Sequence, residues 1–301
     1  MKTILLVLPT STAPGAVDYY QVLQEETAIA EAAALGLAIE VVHAPGFDHL
    51  RVIRKRLGDS GASAVDAVVV EPGSLSSTEL VLKELKGRAG LVLLNAWSPA
   101  VEEHAASWGA GLPIGTLSTD HAEIGRIQAL QVNAVASEGG SVLCVTGSLR
   151  SSAAQQRLEA LKATLKPGLT LHDTEAGEWT EEGGARAFES WYGLFRSRRF
   201  ELHAIAAQSD ELAIGARRAA FAVTTPAHRD TFAGAKLLGV DACPGYGKRL
   251  VDEGTLTASV VAPANTGDAL RRLNRFWQTG QPVALRAYTR PLPYPPSSVA
   301  S

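Results

Sequence analysis

The sequence lacks the features that mark disulfide-bonded, zinc-binding and membrane-spanning proteins. It has two cysteines, Cys144 and Cys243, which lie far apart in the chain and form no metal-spaced cluster. Cys144 lies in the apolar run SVLCVTG, which is typical of a buried structural thiol. No apolar run approaches the roughly 18 residues of a membrane-spanning helix. The cysteines leave the cellular compartment open.

The sequence also lacks a large excess of positive or negative charge. The chain has 28 Lys and Arg residues against 31 Asp and Glu residues, a formal net charge of −3. Nucleic acids and acidic membranes bind basic surfaces, so this balance gives no reason to expect either partner. With 46% hydrophobic and 20% charged residues, the composition is that of a soluble globular protein. The 301 residues allow one large domain or two of ordinary size.

The common catalytic signatures are absent. The sequence contains no GxxxxGK[ST], HExxH or GxSxG motif. The stretch GAGLPIG (109–115) has the wrong glycine spacing for a dinucleotide loop, and Pro113 interrupts it. The seven histidines are scattered, and we expect His121, near a candidate site, to be a solvated loop residue. We therefore predict no cofactor, no metal site and no catalytic residue.

Apolar, β-branched runs alternate with amphipathic runs, a pattern that predicts parallel sheets with right-handed crossovers. The N-terminal run has an apolar core shorter than the roughly seven residues of the shortest usual signal peptides, so we interpret it as the first strand. The first set of predicted strands is TILLVLP (3–9), AIEVVHA (38–44), VDAVVVEP (65–72) and GLVLLNA (90–96), with helices at 19–36, 49–61 and 77–87.

The pattern then restarts, which predicts a second lobe of similar size. The second set comprises strands at 141–147, 169–176, 201–208 and 236–242 and helices at 152–166, 181–197, 210–223 and 246–254. A further strand (256–264), a helix (266–280) and a proline-rich tail complete the chain, with little order expected in the tail beyond VALRAYTR.

The stretch AIAAQSDELAIGARRA (204–219) places four polar residues where a buried strand turns into a helix. Such junctions lie at the carboxyl edge of a sheet, where open α/β sheets bind ligands. Among these residues, we expect Asp210 to cap the following helix and Glu211 to lie in its first turn. Gln208 and Ser209 remain as candidates for a site.

Four stretches together resemble the type I periplasmic binding proteins of the ribose-binding type, whose fold is shared by the effector domains of lactose-repressor-type regulators. They are the Tyr-Tyr helix start, STDHAEIGRIQAL (118–130), TGSLRSSAAQQRLEALK (146–162), and AQSDELAIGARRA (207–219) with LGVDACPGYGKRLVDEGTLTASVV (238–261). The resemblance runs from Thr3 to about Ala287.

The resemblance implies an α/β fold with two doubly wound parallel-sheet lobes joined by three crossover strands. The implied N-terminal lobe comprises residues 1–118 with 263–282, and the C-terminal lobe comprises residues 119–262 with 283–301. The hinge strands are expected near 116–120, 261–265 and 280–284.

The implied ligand is a small sugar or polyol-like molecule, which needs aromatic walls for its C–H faces and fixed polar groups for its hydroxyls. Tyr19 and Tyr20 match the family's aromatic pair, with helix packing as the alternative. Trp179, in a polar glycine-flanked loop, matches another family aromatic. Trp97 is a further candidate from the first lobe.

The polar candidates lie at strand ends and helix starts that match family ligand positions. Asp241 resembles the family aspartate that accepts from sugar hydroxyls, with a helix N-cap as the alternative. Asp120 is either a ligand contact or part of the hinge, and Arg157 is expected to form an ion pair within its own lobe. The other polar candidates are Glu71, Asn95, Gln155 and Ser209.

The chain departs from the ribose-binding pattern at several of these positions. Ser209 stands where the family usually has asparagine, Gln155 where many relatives have arginine, and Asn95 where aspartate is common. Ala262 stands where ribose binders have glutamine. Because these changes remove groups that match a pentose, ribose is not carried over as the ligand.

The resemblance predicts a monomeric solute-binding protein, without enzymatic activity, that presents its closed form to the permease of an ATP-driven (ABC) importer. It implies a periplasmic location, while the short N-terminal run leaves a cytoplasmic one open. One alternative is the effector-sensing domain of a regulator or receptor. Another is a sugar-phosphate enzyme, in which the amides of TGSLRSS and Arg150 would hold the phosphate.

Overall fold

The structure is a computed structural model that describes residues 1–10, 17–45, 48–58, 65–72, 74–109, 111–195, 201–223 and 225–299. The strands of this part of the chain are β1 Thr3–Pro9, β2 Ala38–Ala44, β3 Ala67–Val70, β4 Gly90–Leu94, β5 Ile114–Thr119, β6 Gly140–Thr146, β7 Leu169–Glu175, β8 Ala204–Ala207, β9 Lys236–Leu238, β10 Ser259–Val261, β11 Arg286–Thr289 and β12 Leu292–Tyr294.

The α-helices of the same residues are α1 Tyr19–Leu35, α2 Asp48–Gly58, α3 Leu75–Leu85, α4 Ala100–Ala105, α5 His121–Val135, α6 Ser152–Thr164, α7 Glu181–Phe195, α8 Asp210–Ala222, α9 Pro226–Gly234, α10 Arg249–Asp252 and α11 Asn265–Thr279. A π-helical turn, Pro244–Lys248, precedes α10, and a 3₁₀ turn, Pro296–Val299, lies near the C-terminus. Among the described helices, none combines the length and the apolar character that crossing a bilayer requires.

The chain divides into two compact units. Unit 1 comprises residues 1–12, 19–119 and 264–289, and unit 2 comprises residues 13–18, 120–263 and 290–301. Beyond the short segment 13–18, the chain therefore passes between the units at 119/120, 263/264 and 289/290. We call these three points the crossings.

Unit 1 is built on a parallel sheet with the strand order β2-β1-β3-β4-β5-β11. Its central strands are buried on both faces because alternate side chains point to opposite sides. Leu5 and Val7 of β1 pack in the apolar core that includes α2 and α3, whereas Ile4 and Leu6 pack in the core that includes α1 and α11. The sheet is thus covered by helices on both faces.

Unit 2 has a second parallel sheet, with the order β7-β6-β8-β9. Cys144 of β6 lies in the core shared with α5 and α6, and burial raises the pKa of its thiol to about 12. This confirms the structural role predicted for Cys144. In α7, Phe188 and Trp191 are buried and their rings contact each other. A separate antiparallel pair, β10 with β12, completes the unit.

Sequence prediction and structure agree in the fold and differ in several elements. The predicted strand 236–242 ends at Leu238, and Asp241 and Ala242 instead adopt positive φ angles of 93° and 43°. The predicted helix 246–254 begins within a π-helical turn. The third crossing lies at 289/290 rather than near 280–284, because β11 pairs with β5 and keeps residues 286–289 in unit 1.

Candidate functional site

In unit 1, polar side chains follow two neighbouring strands of the sheet. Glu71 comes directly after β3, and Asn95 comes directly after β4 with φ at +51°. The Asn95 Nδ2 donates to Glu71 Oε1 at 3.1 Å, and Gln21 Nε2 donates to Glu71 Oε2 at 3.2 Å. The two amides hold the carboxylate in one orientation.

Asn265, the first residue of α11, anchors this group although the sequence did not identify it. Its side chain is fully buried, and its Nδ2 donates to Asn95 Oδ1 at 2.9 Å and to Thr119 Oγ1 at 3.2 Å. Its Oδ1 accepts from Thr289 Oγ1 at 2.7 Å. In the sequence prediction Asn265 falls between the strand 256–264 and the helix 266–280 and belongs to neither, whereas in the structure it is the first residue of α11.

The aromatic candidates of unit 1 lie in two different environments. Tyr19 and Tyr20 begin α1 and are half-buried, and the Tyr20 hydroxyl is 3.5 Å from Asn265 Nδ2. Trp97 packs against the core that includes α2 and α3, and the Arg286 guanidinium lies 4.8 Å above its ring. The hydrogen bonds therefore connect Tyr20 with Glu71 and Asn95, whereas Trp97 is held by packing.

In unit 2, the buried Arg157 is the centre of a second polar group. Its Nη1 donates to the Gln208 carbonyl oxygen at 2.6 Å, and its Nη2 lies 3.9 Å from Asp241 Oδ1. The guanidinium also lies 5.5 Å from the centre of the Trp179 ring. The expected ion pair of Arg157 within its own lobe is thus present, at the long end of the range for such contacts.

Asp241 is buried and its charge depends on its surroundings. Burial raises its pKa to about 7, the Arg157 guanidinium opposes this rise, and the Asp18 carboxylate adds to it. Its backbone bonds to β10 and to the residue after it, with Asp241 N donating to Val260 O at 2.8 Å and Ala262 N donating to Asp241 O at 3.2 Å. The N-cap position of the next helical turn, Pro244–Lys248, is occupied by Cys243. Asp241 therefore does not have the alternative role of an N-cap.

Among the four polar residues after β8, Glu211 lies in the first turn of α8 as predicted, whereas the predicted cap is wrong. Ser209, not Asp210, caps α8, because its Oγ accepts from Leu212 N at 3.2 Å. Asp210 is buried, with its carboxylate accepting from Ala242 N at 2.8 Å and from Ser259 Oγ at 2.6 Å. Its role is structural, as predicted, but it joins separate segments instead of capping a helix.

The Gln208 side chain, directly after β8, bonds to the residue that follows β6 and to helix α6. Its Oε1 accepts from Gly147 N at 3.1 Å, and its Nε2 donates to Ala154 O at 3.0 Å. The half-buried Trp179 ring lies so close to Gly147 that any Cβ there would collide with it. Gly147 therefore has to be glycine if Trp179 is to keep its place beside Arg157.

The remaining candidates of unit 2 lie at helix starts. Asp120 caps α5 by accepting from Glu123 N at 3.0 Å, at the first crossing. Gln155 is exposed and donates to Leu149 O at 2.6 Å. The structure places Trp179 and Asp241 beside Arg157, and Ser209 directly after Gln208, whereas Gln155 points its amide to a loop carbonyl.

The expectation for His121 was wrong. Its side chain is only 3% exposed, and its Nδ1 is 3.4 Å from Arg157 Nε, from which it accepts. Burial, and then the positive charge of Arg157, hold the pKa of His121 well below its usual range. The ring is therefore neutral and orients Arg157. His121 is the first residue of α5, at the boundary between loop and helix, and the sequence prediction placed it on the loop side.

Two units, each with a parallel α/β sheet and polar residues at the carboxyl ends of its strands, define the type I periplasmic binding protein fold. The chain belongs to the family described as "Periplasmic binding protein domain", which matches residues 12–269. A search of curated proteins finds no match.

Solved structures share this fold at low sequence identity. One is an ABC transporter periplasmic solute-binding protein from Actinobacillus succinogenes 130z with bound D-allose (TM-score 0.78, 15% identity, 99% of both chains covered). Another is an ABC transporter solute-binding protein from Bacillus halodurans C-125 with bound myo-inositol (TM-score 0.75, 19% identity, 99% and 96% covered). A third is the fructose-binding periplasmic domain of a hybrid two-component system (TM-score 0.77, 19% identity, 97% and 90% covered).

Proposed function

We propose that this protein is the solute-binding component of an ABC importer and that it captures a neutral sugar or cyclic polyol. The observation that carries the proposal is that each unit orients a carboxyl group in the segment that follows a parallel strand, Glu71 directly after β3 and Asp241 three residues after β9. Glu71 is held by two amides, and Asp241 lies beside Arg157. Oriented acceptors and donors of this kind suit hydroxyl groups, and the Trp179 ring suits a C–H face.

The charges favour a neutral ligand over a phosphorylated one. In unit 1 the fixed charge of the group is the Glu71 carboxylate, and in unit 2 Arg157 is already shared between Asp241 and a carbonyl oxygen. In the loop after β6, Leu149 N donates to Glu175 Oε1 at 3.0 Å. A carboxylate therefore occupies an amide that the sugar-phosphate alternative needs, which argues against that enzyme.

Capture by hinge closure follows from the two-unit division. In this proposal one ligand molecule contacts residues of both units, so it stabilises only the arrangement in which both sets of contacts are made. The crossings at 119/120, 263/264 and 289/290 are the segments that would move. A permease of the importer is the proposed membrane partner, and the proposed location is the periplasm.

A panel of D-allose, myo-inositol, D-fructose, L-arabinose and D-ribose tests the proposal. At 100 times Kd a ligand adds about 2.7 kcal/mol to the free energy of unfolding, so we expect one member to raise the Tm by several degrees. The same sugar should change the fluorescence of Trp179 or Trp97 in a saturable way. Mass spectrometry should recover it unchanged after long incubation, since the protein is proposed to bind and not to react. A panel without thermal shift or fluorescence change would contradict the proposal.

A sensor domain is the second candidate, because one structural neighbour is the periplasmic domain of a hybrid two-component system. Both candidates bind a sugar, so binding does not separate them. Genes for a permease and an ATPase beside the coding sequence would support the importer. A transmembrane segment and a kinase in the same reading frame would support the sensor.

A further inference from the structure

Asn265 connects more of unit 1 than a residue that only starts a helix needs to. Its carboxamide is fully buried and bonds the side chains of Asn95, Thr119 and Thr289, and the Tyr20 hydroxyl lies 3.5 Å from its Nδ2. The bond to Asn95 joins residues 170 positions apart in sequence, and the bond to Thr119 joins residues 146 positions apart. These partners come from different strand ends of the sheet.

The partners have a second feature in common, which is their position at the crossings. Thr119 is the last residue of unit 1 before the first crossing, and Thr289 is the last before the third. Asn265 is the second residue after the crossing at 263/264. One buried amide thus bonds residues at the unit 1 ends of all three crossings and also holds the Asn95 carboxamide. Two longer bonds support this arrangement, with Thr119 N donating to Asn95 Oδ1 at 3.3 Å and Thr289 Oγ1 donating to Thr119 Oγ1 at 3.3 Å.

We propose that Asn265 is a positioning residue that locks the Asn95 carboxamide to the three crossings, as the one side chain of this group that bonds Asn95, Thr119 and Thr289 together. The consequence for ligand capture rests on the proposed function, in which Asn95 contacts the sugar. If Asn95 turns toward a ligand, its Oδ1 moves relative to Asn265 Nδ2. The hydrogen bonds that the Asn265 carboxamide makes with Thr119 and Thr289 then have to readjust as well.

The neighbouring Thr266 is a matched control. It is also fully buried on α11, but its bonds go to Gln24, with Thr266 N donating to Oε1 at 3.0 Å and Thr266 Oγ1 donating to the backbone oxygen at 2.6 Å. Thr266→Val removes a buried hydrogen bond next to Asn265 without touching Asn95 or the crossing threonines. General destabilisation should therefore be similar in the two variants, while the effect on the crossings should differ.

Hydrogen–deuterium exchange of the unliganded protein tests the proposal directly. In Asn265→Ala and in Thr289→Val we expect the amides of 114–119 and 286–289 to exchange about tenfold faster, because bonds that hold these strand ends are lost. In Thr266→Val these amides should exchange as in the wild type. Equal acceleration in Thr266→Val, or none in the other two variants, would overturn the proposal. If Asn265→Ala does not fold, Thr289→Val decides.

The side-chain NH₂ signals of Asn95 supply a spectroscopic readout, assigned by their loss in Asn95→Asp. They should shift in Asn265→Ala and Thr289→Val and stay in place in Thr266→Val. Signals that move equally in all three variants would speak against a specific role.

Titration with myo-inositol and D-allose separates this inference from the proposed function. If either sugar binds the wild type, Asn265→Ala should weaken its affinity about tenfold, and Thr266→Val should leave it within about twofold. Unchanged affinity in Asn265→Ala would overturn the coupling to Asn95. If neither sugar binds the wild type, the proposed function is contradicted for these sugars, and the exchange and NMR results decide the role of Asn265.

Discussion

At the scale of single residues, unit 2 shows how burial sets the charge state of a side chain. Asp210 and Glu211 are buried close to Asp241, and burial raises the pKa of both well above its usual range. The Arg157 guanidinium is the positive charge that opposes this effect at Asp241. The folded protein therefore holds a proton on Asp241 over a pH range in which the unfolded chain has released it.

Asp241→Asn should change the pH dependence of stability. The folded pKa of about 7 lies above the usual value of 3.8 for a free aspartate, so the stability that protonated Asp241 contributes is fully present below about pH 3.8 and is lost as the pH rises from there through about 7. Relative to wild type, we expect the variant to gain stability between pH 5 and pH 8, by on the order of a few kcal/mol at most. Thermal melts at both pH values measure this difference. Parallel pH profiles for the two proteins would contradict it.

At the scale of elements, glycines set how closely the helices of unit 2 pack. A Cβ on Gly184 of α7 would collide with the backbone of Leu212, and one on Gly215 of α8 would collide with the backbone of Glu181. The contact is backbone against backbone, so a rotamer change cannot relieve it. On the same helix α7, Gly193 is exposed and has open space around its Cα.

Gly184→Ala and Gly193→Ala should therefore have opposite effects on stability. We expect Gly184→Ala to lower the free energy of unfolding by about 1–3 kcal/mol, because α7 and α8 have to move apart. Gly193→Ala should raise it by about 0.5–1 kcal/mol, because alanine restricts the unfolded chain and favours the helix. Urea denaturation of both variants measures the difference. Two stabilised variants would show that the close approach is not needed.

At the scale of the whole molecule, the proposed function divides the ligand contacts between two units that fold around separate sheets. Each unit has its own core and its own polar group at the strand ends. Affinity should then depend on residues from both units.

Variants from each unit test this division with the sugar found by the panel. We expect Asn95→Ala in unit 1 and Trp179→Leu in unit 2 each to lower affinity about tenfold or more, because each removes a contact of about 1–2 kcal/mol. Glu102→Gln on the exposed side of α4 serves as a control and should bind like the wild type. The measurement is fluorescence titration. If Asn95→Ala or Trp179→Leu binds the sugar with wild-type affinity, the ligand does not contact the residue that was replaced.

Local features of the sequence were enough to predict the fold and part of the candidate site. The bounds of β1 and β2 agree with the predicted 3–9 and 38–44, because apolar, β-branched runs favour extended backbone both in the buried β1 and in the half-buried edge strand β2. The positions of Glu71 and Asn95 after parallel strands were also readable, since such strands end at one edge of the sheet. The lobe repeat followed from the repeated alternation of strands and helices.

Tertiary structure alone decided which polar side chains work together. His121 became a buried partner of Arg157, Asp210 bonded Ala242 and Ser259 instead of capping α8, and Asn265 reached Asn95 from 170 residues away. Apolar periodicity is a property of neighbouring residues, so it is visible in sequence. The burial and the hydrogen-bond partners of a polar group depend on segments that meet only when the chain has folded, because water satisfies the same group equally well before folding.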